Sequence, residues 1–207
     1  MATEQDFDED LVLEKVMLLL WSRGYDSTSR ADIQDATGMT WSRLNRLFGG
    51  KEEMFRTVLD RYIQKNLAFH ADALAQPTPR LIVRAIMLGL VDLNADSNAP
   101  SGCLMALSAL ACVGSTGPLK ANLLEIRNGL ERSLRQRLES VTDAGPLPEG
   151  MTAHDAAAFL WTMIQGIAVE AKGGATPRRL RDIIDAVLAT WPDNFRDAKQ
   201  HAEGAGY

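Results

Sequence analysis

The chain has 207 residues, 46% of them hydrophobic and 24% charged, which is enough for one compact domain with a small one appended. Two cysteines, no apolar run of about 18 residues and no signal-like start argue against a disulfide scaffold and a membrane protein, and for a reduced, cytoplasmic setting. A net charge of -5 speaks against a surface that grips a polyanion everywhere, so any such grip has to be local.

The first predicted helix runs from about Asp8 to Arg23, burying Leu11, Val12, the stem of Lys15, Leu18, Leu19 and Trp21, with Gly24 as its C-cap. The acids around its start, Glu4, Asp6, Asp8, Glu9 and Asp10, solvate the chain end and favour the helix N-terminus. Ser29 to Lys51 then reads as two brief helices. Ser29 with Asp32 forms a capping box, Gly38 breaks the pattern, and Thr40 restarts it as an N-cap. In the second helix Leu44, Leu47 and Phe48 take the spacing of a core face, while Ser42, Arg43, Asn45 and Arg46 project outward. Arg43 and Arg46 lie one turn apart, able to reach base edges or phosphates together. Two short helices with a Gly-containing turn and a cationic second helix are the helix-turn-helix device for reading the major groove. An ordinary αα-corner has the same spacing, so the pattern leaves both readings open.

A fourth helix is predicted from Lys51 to about Ala75, with Met54, Phe55, Val58, Leu59, Tyr62 and Ile63 as its stripe. From Thr40 to Lys65 six cations (Arg43, Arg46, Lys51, Arg56, Arg61, Lys65) face three acids (Glu52, Glu53, Asp60), a local net of +3. Pro79 suits the first turn of a fifth helix carrying Leu81, Ile82, Ala85, Ile86, Leu88 and Leu90. Asn94 to Gly102 is a loop by composition, and the apolar run Cys103 to Val113 is short for a membrane and fits a buried helix. The break from Gly114 to Pro118 lacks the lysine spacing of a phosphate-binding loop. A long amphipathic helix from about Leu119 to Val141 carries Arg127, Arg132, Arg135 and Arg137, read as a solvated face. After a flexible connection from Asp143 to Gly150, helices from about Thr152 to Ala171 and from Pro177 to Trp191 have wide apolar stripes, and a polar tail follows Pro192. No internal repeat is present.

No H-E-x-x-H, calcium-loop, dinucleotide-loop or paired C-x-x-C pattern occurs, and His70, His154 and His201 are scattered, so the residues for an enzyme's active site are hard to find. The one nucleophile candidate is Cys103, after Ser101 and Gly102, where a helix N-terminus would favour its thiolate. It reads as a catalytic group lacking an identified base, a sensor thiol, or a small packing residue.

The run from Ala31 to Leu59, A-D-I-Q-D-A-T-G-M-T-W-S-R-L-N-R-L-F-G-G-K-E-E-M-F-R-T-V-L, with Gly24, Tyr25, Thr28 and Ser29 ahead of it, strongly resembles the TetR/AcrR family of bacterial transcriptional regulators. The resemblance covers about the first quarter of the chain. The family usually has aromatics where this sequence has Asn45 and Leu47. It implies an all-α fold, with a helix-turn-helix DNA-binding domain over 1–52, a helical effector-binding and dimerisation domain over 53–192, and a tail over 193–207. The implied DNA-contacting set is Arg30, Thr40, Trp41, Ser42, Arg43, Asn45, Arg46 and the phosphate-binding Lys51, with Trp41 either meeting a thymine methyl or covering the turn. By position in the family, Met87, Cys103, Met105, Trp161, Met163 and Gln165 line an effector pocket. Phe159, Met163, Ile167, Leu180, Ile184, Val187, Leu188 and Trp191 form the dimer interface, the last two helices pairing with their copies as a four-helix bundle. Some relatives with G-C-L at this place sense electrophiles through the cysteine. The expected partners are an operator duplex, a second copy and a small-molecule effector of unread identity, with no cofactor, metal or membrane. The expected function is a repressor released from a palindromic operator by an effector. The rival is a helical ligand or redox sensor that acts through a protein partner without specific DNA binding.

Overall fold

A computed structural model describes residues 8–95, 99–111 and 117–193. Ten helices make up the regular structure of these residues, with no strand among them: α1 (Glu9–Arg23), α2 (Arg30–Thr37), α3 (Trp41–Phe48), α4 (Lys51–Asn66), α5 (Phe69–Leu74), α6 (Pro79–Leu93), α7 (Leu104–Ala111), α8 (Pro118–Ser140), α9 (Ala153–Lys172) and α10 (Pro177–Ala189). Glu4, Asp6, most of the break at 114–118 and the tail from 194 lie outside the described residues.

Helix starts follow the sequence closely because each is fixed by a local hydrogen bond. Asp8, Thr40, Thr78 and Thr176 each accept the amide three residues on, and Ser29–Asp32 and Thr152–Asp155 close complete capping boxes. Pro79, Pro118 and Pro177 occupy first-turn positions, where a missing N–H costs nothing.

The α1 face is rotated from the expected one. Val12, Leu13, Val16, Met17, Leu20 and Trp21 are buried, whereas Leu11 is 53% exposed and Leu18 and Leu19 are half-buried. Apolar residues lie on every side of this helix, so periodicity does not fix its face and tertiary packing chooses it. Its acids also do more than solvate the chain end. Asp10 pairs with Arg61 at 2.5 Å, and Glu14 reaches Arg61 and Lys65 at 3.6 and 3.4 Å, tying α1 to α4.

The long fourth helix expected to reach Ala75 is instead α4 and α5, with a break at Leu67, whose amide bonds Tyr62 five residues back. No Gly or Pro announces it. Leu67 packs against one hydrophobic core and Phe69 against another, so the chain turns where its apolar residues change allegiance. Phe69 lies over Gly89 of α6, where a Cβ would come within 2.1 Å of its ring.

Two cores result. One joins α1 to α4 with Cys103–Ala106, Leu119, Leu123 and Ala168; the other joins α6 with the later part of α8, α9 and α10. Since α4 packs wholly into the first, the expected division at residue 52 runs through a packed unit. The α8 arginines are not all solvated. Arg137 donates to the carbonyls of Leu74 and Gln76 at 2.6 and 3.0 Å, capping α5, and Arg127 stacks on Trp161, 5.9 Å from the ring centroid. Arg80 of α6 plays a similar part for α10, donating to the Leu188 and Trp191 carbonyls and pairing with Asp193.

Candidate nucleic-acid interface and interior cavity

The turn between α2 and α3 is set by Gly38, which caps α2 in the left-handed region at φ 72°, a conformation that a side chain disfavours. Thr40 then opens α3. Leu44 and Phe48 anchor α3 inward, and Ser42, Arg43, Asn45 and Arg46 are exposed on its far side. Leu47, expected in the core, is 42% exposed on that outer surface: only two positions of a two-turn helix can point straight into so small a core. Trp41 is half-buried against the first core with the Arg30 guanidinium 5.0 Å from its ring centroid, so its indole closes the turn and holds Arg30 beside it.

Lys51 lies at the first position of α4, its Nζ donating to the Tyr25 carbonyl at 2.7 Å and lying 4.1 Å from the Tyr25 ring centroid. Burial pushes its ammonium below the usual lysine value; Arg30 adds to that shift, and Asp26 and Asp32 oppose it. One of its three protons is thereby used to join the turn before α2 to the start of α4, leaving two for an incoming oxygen. The local +3 balance shrinks in the folded chain: Arg56 pairs with Glu52 at 2.6 Å, and Arg61 and Lys65 are held by α1. Among the described residues no ion pair engages Arg30 or Arg46. The cationic surface is thus concentrated on α3 and the starts of α2 and α4.

Of the six residues expected in the pocket, Cys103, Met105, Trp161 and Gln165 line one interior cavity. Met87 is fully buried in the second core and Met163 packs on that core's outside; neither lines the cavity. Sequence reasoning missed Leu67, Phe69, His70, Ile86, Leu90, Ala106, Arg127, Leu130 and Ile164. The signal for Arg127 was present, because it stands four residues after Leu123 and three before Leu130, on the apolar stripe of α8. The free volume is about 40 Å³, room for a few waters, against ~300–1,000 Å³ in a typical ligand site. Three buried side-chain atoms of lining residues have no hydrogen-bond partner, Arg127 Nε, Trp161 Nε1 and His70 Nε2, and none of them opens onto the cavity, whose exposed lining is wholly apolar. Each such group costs about 1–3 kcal/mol. Burial holds the His70 imidazole below its ordinary pKa.

The cavity wall adjoins the first core through Cys103. The Tyr62 hydroxyl donates to its Sγ at 3.4 Å and accepts the Leu104 amide at 3.2 Å. Trp21 packs edge-on against Tyr62 at 5.0 Å and donates its indole N–H to the Gly102 carbonyl at 3.2 Å. Burial pushes both the Tyr62 hydroxyl and the Cys103 thiol up. For the thiol, hydrogen bonds from Tyr62 and the Ala106 and Met105 amides only partly offset this. The helix start therefore does not make Cys103 a ready thiolate; it is a buried hydrogen-bonded residue at the junction. Lys172 adds a second tie, donating to the Ser22 carbonyl at 2.9 Å.

The residues expected at a subunit interface are mostly inside the subunit. Ile167, Leu180, Ile184, Val187, Leu188 and Trp191 are all buried in its own cores and offer no surface to a second copy; Phe159 and Met163 are half-buried. The outer face of α9 consists of Phe159, Thr162, Met163, Gly166 and Val169, the last 48% exposed. A wide stripe showed that both helices are apolar, without showing which edge the subunit keeps.

A family profile described as the tetracyclin repressor-like C-terminal domain matches residues 77–187. The chain is 33% identical over 190 residues, 90% of each protein, to the HTH-type transcriptional repressor ComR of Escherichia coli (strain K12). Among solved structures it is similar to a cysteine mutant of the TetR family transcriptional regulator CifR complexed with 26bp double-strand operator DNA. There the identity is 28%, the match covers 91% of this chain and 99% of the other, and the TM-score is 0.82. A second CifR cysteine mutant with operator DNA gives 27% identity, coverage of 92% and 100%, and a TM-score of 0.83.

Proposed function

The chain belongs to the TetR family of transcriptional regulators, and on that premise we propose that it is a homodimeric repressor that reads a palindromic operator and releases it when a small molecule enters the cavity. The observation that carries this reading is α3. Two buried anchors, Leu44 and Phe48, hold the helix so that Ser42, Arg43, Asn45 and Arg46 stand in solvent on one side. Arg30 and Lys51 flank it at two helix starts, where backbone amides also favour phosphate. The rival reading is a sensor that acts through a protein partner without specific DNA binding. Of the acids, Asp10 and Glu14 are engaged by α4, while Asp26 and Asp32 stand near Lys51.

Two copies would meet through the outer face of α9 with the exposed Ala186 and Ala189 edge of α10, the small Gly166 allowing close approach. One recognition helix per subunit then has to enter grooves about 34 Å apart or a multiple of it. A ligand that binds better in one conformation shifts the balance between them. The route by which it does so is the junction of Cys103, Tyr62, Trp21 and Gly102, because Cys103 is at once cavity wall and hydrogen-bond partner of α4. The test is a fluorescence-polarisation titration against duplexes from the gene's own upstream region, at two salt concentrations, with scrambled competitor. Tight, competitor-resistant binding is expected, and only weak, sequence-indifferent binding at every duplex would overturn the reading.

A further inference from the structure

Trp41 stands at the first position of α3 and Arg30 at the first position of α2. The Arg30 guanidinium lies 5.0 Å from the Trp41 ring centroid. The indole is itself held, half-buried and packed against the first core. An exposed arginine ordinarily spreads over many rotamers, and fixing it costs entropy. One seated on an anchored ring keeps its charge in one place. Its N–H donors stay available, because a ring face attracts the whole cation rather than accepting from one N–H.

The nearest acid in sequence does not claim that charge. Asp32 is committed to the Ser29 amide and hydroxyl at 2.7 and 2.5 Å and to Arg23 at 2.7 Å. No ion pair among the described residues engages Arg30, which is exposed. Lys51 is seated in the same manner, its Nζ 4.1 Å from the Tyr25 ring centroid. The Arg30 charge is one of the causes that lower the Lys51 ammonium, with Asp26 and Asp32 opposing it, so the two cations stand within electrostatic reach of each other. Both are held by aromatic rings and directed at no internal carboxylate, which suits an anion brought from outside.

Resting on the reading that α3 enters the major groove, we propose that Trp41 is a positioning residue: it reads no base, and by fixing Arg30 it builds, with Lys51, a sequence-indifferent clamp on the phosphate backbone beside that groove. The indole is packed on the core and engaged by Arg30, so it closes the turn and is not offered to a thymine methyl. The clamp contributes affinity and register, and leaves discrimination between bases to the outward side chains of α3. Pinning the arginine before DNA arrives removes part of the ordering cost of binding.

The experiment is a polarisation titration of the full-length protein on a duplex from the gene's own upstream region and on its scrambled counterpart, over a series of salt concentrations. The variants are Arg30→Gln, Trp41→Leu, Trp41→Phe and the double Arg30→Gln, Trp41→Leu, each checked for unchanged helical content. Arg30→Gln is expected to weaken both duplexes by the same factor and to lower the slope of log affinity against log salt by about 1 per subunit bound. Trp41→Leu is expected to weaken both about two- to fivefold, Trp41→Phe to recover part of that loss, and Trp41→Leu to cost nothing further once Arg30 is Gln. A loss confined to the upstream duplex would make Trp41 a base reader. The same loss with and without Arg30 would make it a packing residue of the turn alone. Either result, an unchanged salt slope in Arg30→Gln, or no binding of either duplex at low salt would overturn the proposal. Tight, sequence-specific binding that ignores every variant would overturn the clamp and uphold the regulator; binding that follows the cycle yet prefers neither duplex would uphold the clamp and count against operator recognition.

Discussion

Arg46 stands exposed one turn from Arg43 on a helix whose other side is nailed down by Leu44 and Phe48, so its reach is set by rigid neighbours. Arg46→Ala is expected to cost about 1–3 kcal/mol on the operator and much less on a scrambled duplex. An equal loss on both, read by polarisation at one salt concentration, would reassign it to phosphate. Tyr62 is a second residue with a defined role, since its hydroxyl accepts the buried Leu104 amide and donates to Cys103. Tyr62→Phe leaves that amide unpaired and is expected to lower stability by about 1–3 kcal/mol; an unchanged thermal midpoint would show that the junction does not depend on it. The polar residues on the outward face of α3 were legible in the sequence because Leu44 and Phe48 hold the helix in one orientation, whereas Leu47, read as core, stands among them. The setting of Cys103 was not, because its hydrogen-bond partner lies 41 residues away on another helix. Arg127 sits between, on the apolar stripe by spacing yet read as solvated because charge usually is.

At the scale of elements, local chemistry was readable and long-range packing was not. The capping box of α2 was visible as Ser29–Asp32, whose hydrogen bonds span three residues; the box of α9, Thr152–Asp155, has the same span. The break between α4 and α5 has no local cause, so no residue type announced it. The same boxes carry a pH dependence. The Asp32 carboxyl is held below its ordinary value of 3.8 chiefly by hydrogen bonds from Ser29, and that of Asp155 by those from Thr152. A carboxylate lowered in the folded state contributes stability that is present above its unfolded value and lost as pH falls through the folded one. Stability is therefore expected to fall below about pH 4. A Ser29→Ala, Thr152→Ala protein should show a shallower fall on chemical denaturation across that range, and identical pH profiles would remove the boxes as a cause.

For the whole molecule, on the proposed dimer the outer face of α9 would decide how two reading heads are spaced. Val169, 48% exposed beside Gly166, is then the position where a charge would meet its own copy. Val169→Asp is expected to shift sedimentation toward the monomer and weaken operator binding together, since each half-site alone is a poor ligand. A dimer unchanged by this variant would place the contact elsewhere. The all-helical architecture was legible from periodicity and breaks. Which apolar residues of α9 and α10 the subunit buries in its own core was not, because residues facing that core and those on the outer edge follow the same spacing.

On the proposed switch, the cavity's free volume of about 40 Å³ would set the sensitivity of the response. An effector larger than a few waters would need the walls to open, and the concentration at which half the molecules respond would be the intrinsic constant divided by the fraction that is open. Each tenfold in the fraction corresponds to about 1.4 kcal/mol of opening energy. Trimming a wall residue, as in Ile86→Val, is expected to lower the half-response concentration several-fold. A release curve superimposable on that of the parent protein would show that opening is not limiting. On that reading the side chains that fill the chamber would act as a threshold set by volume.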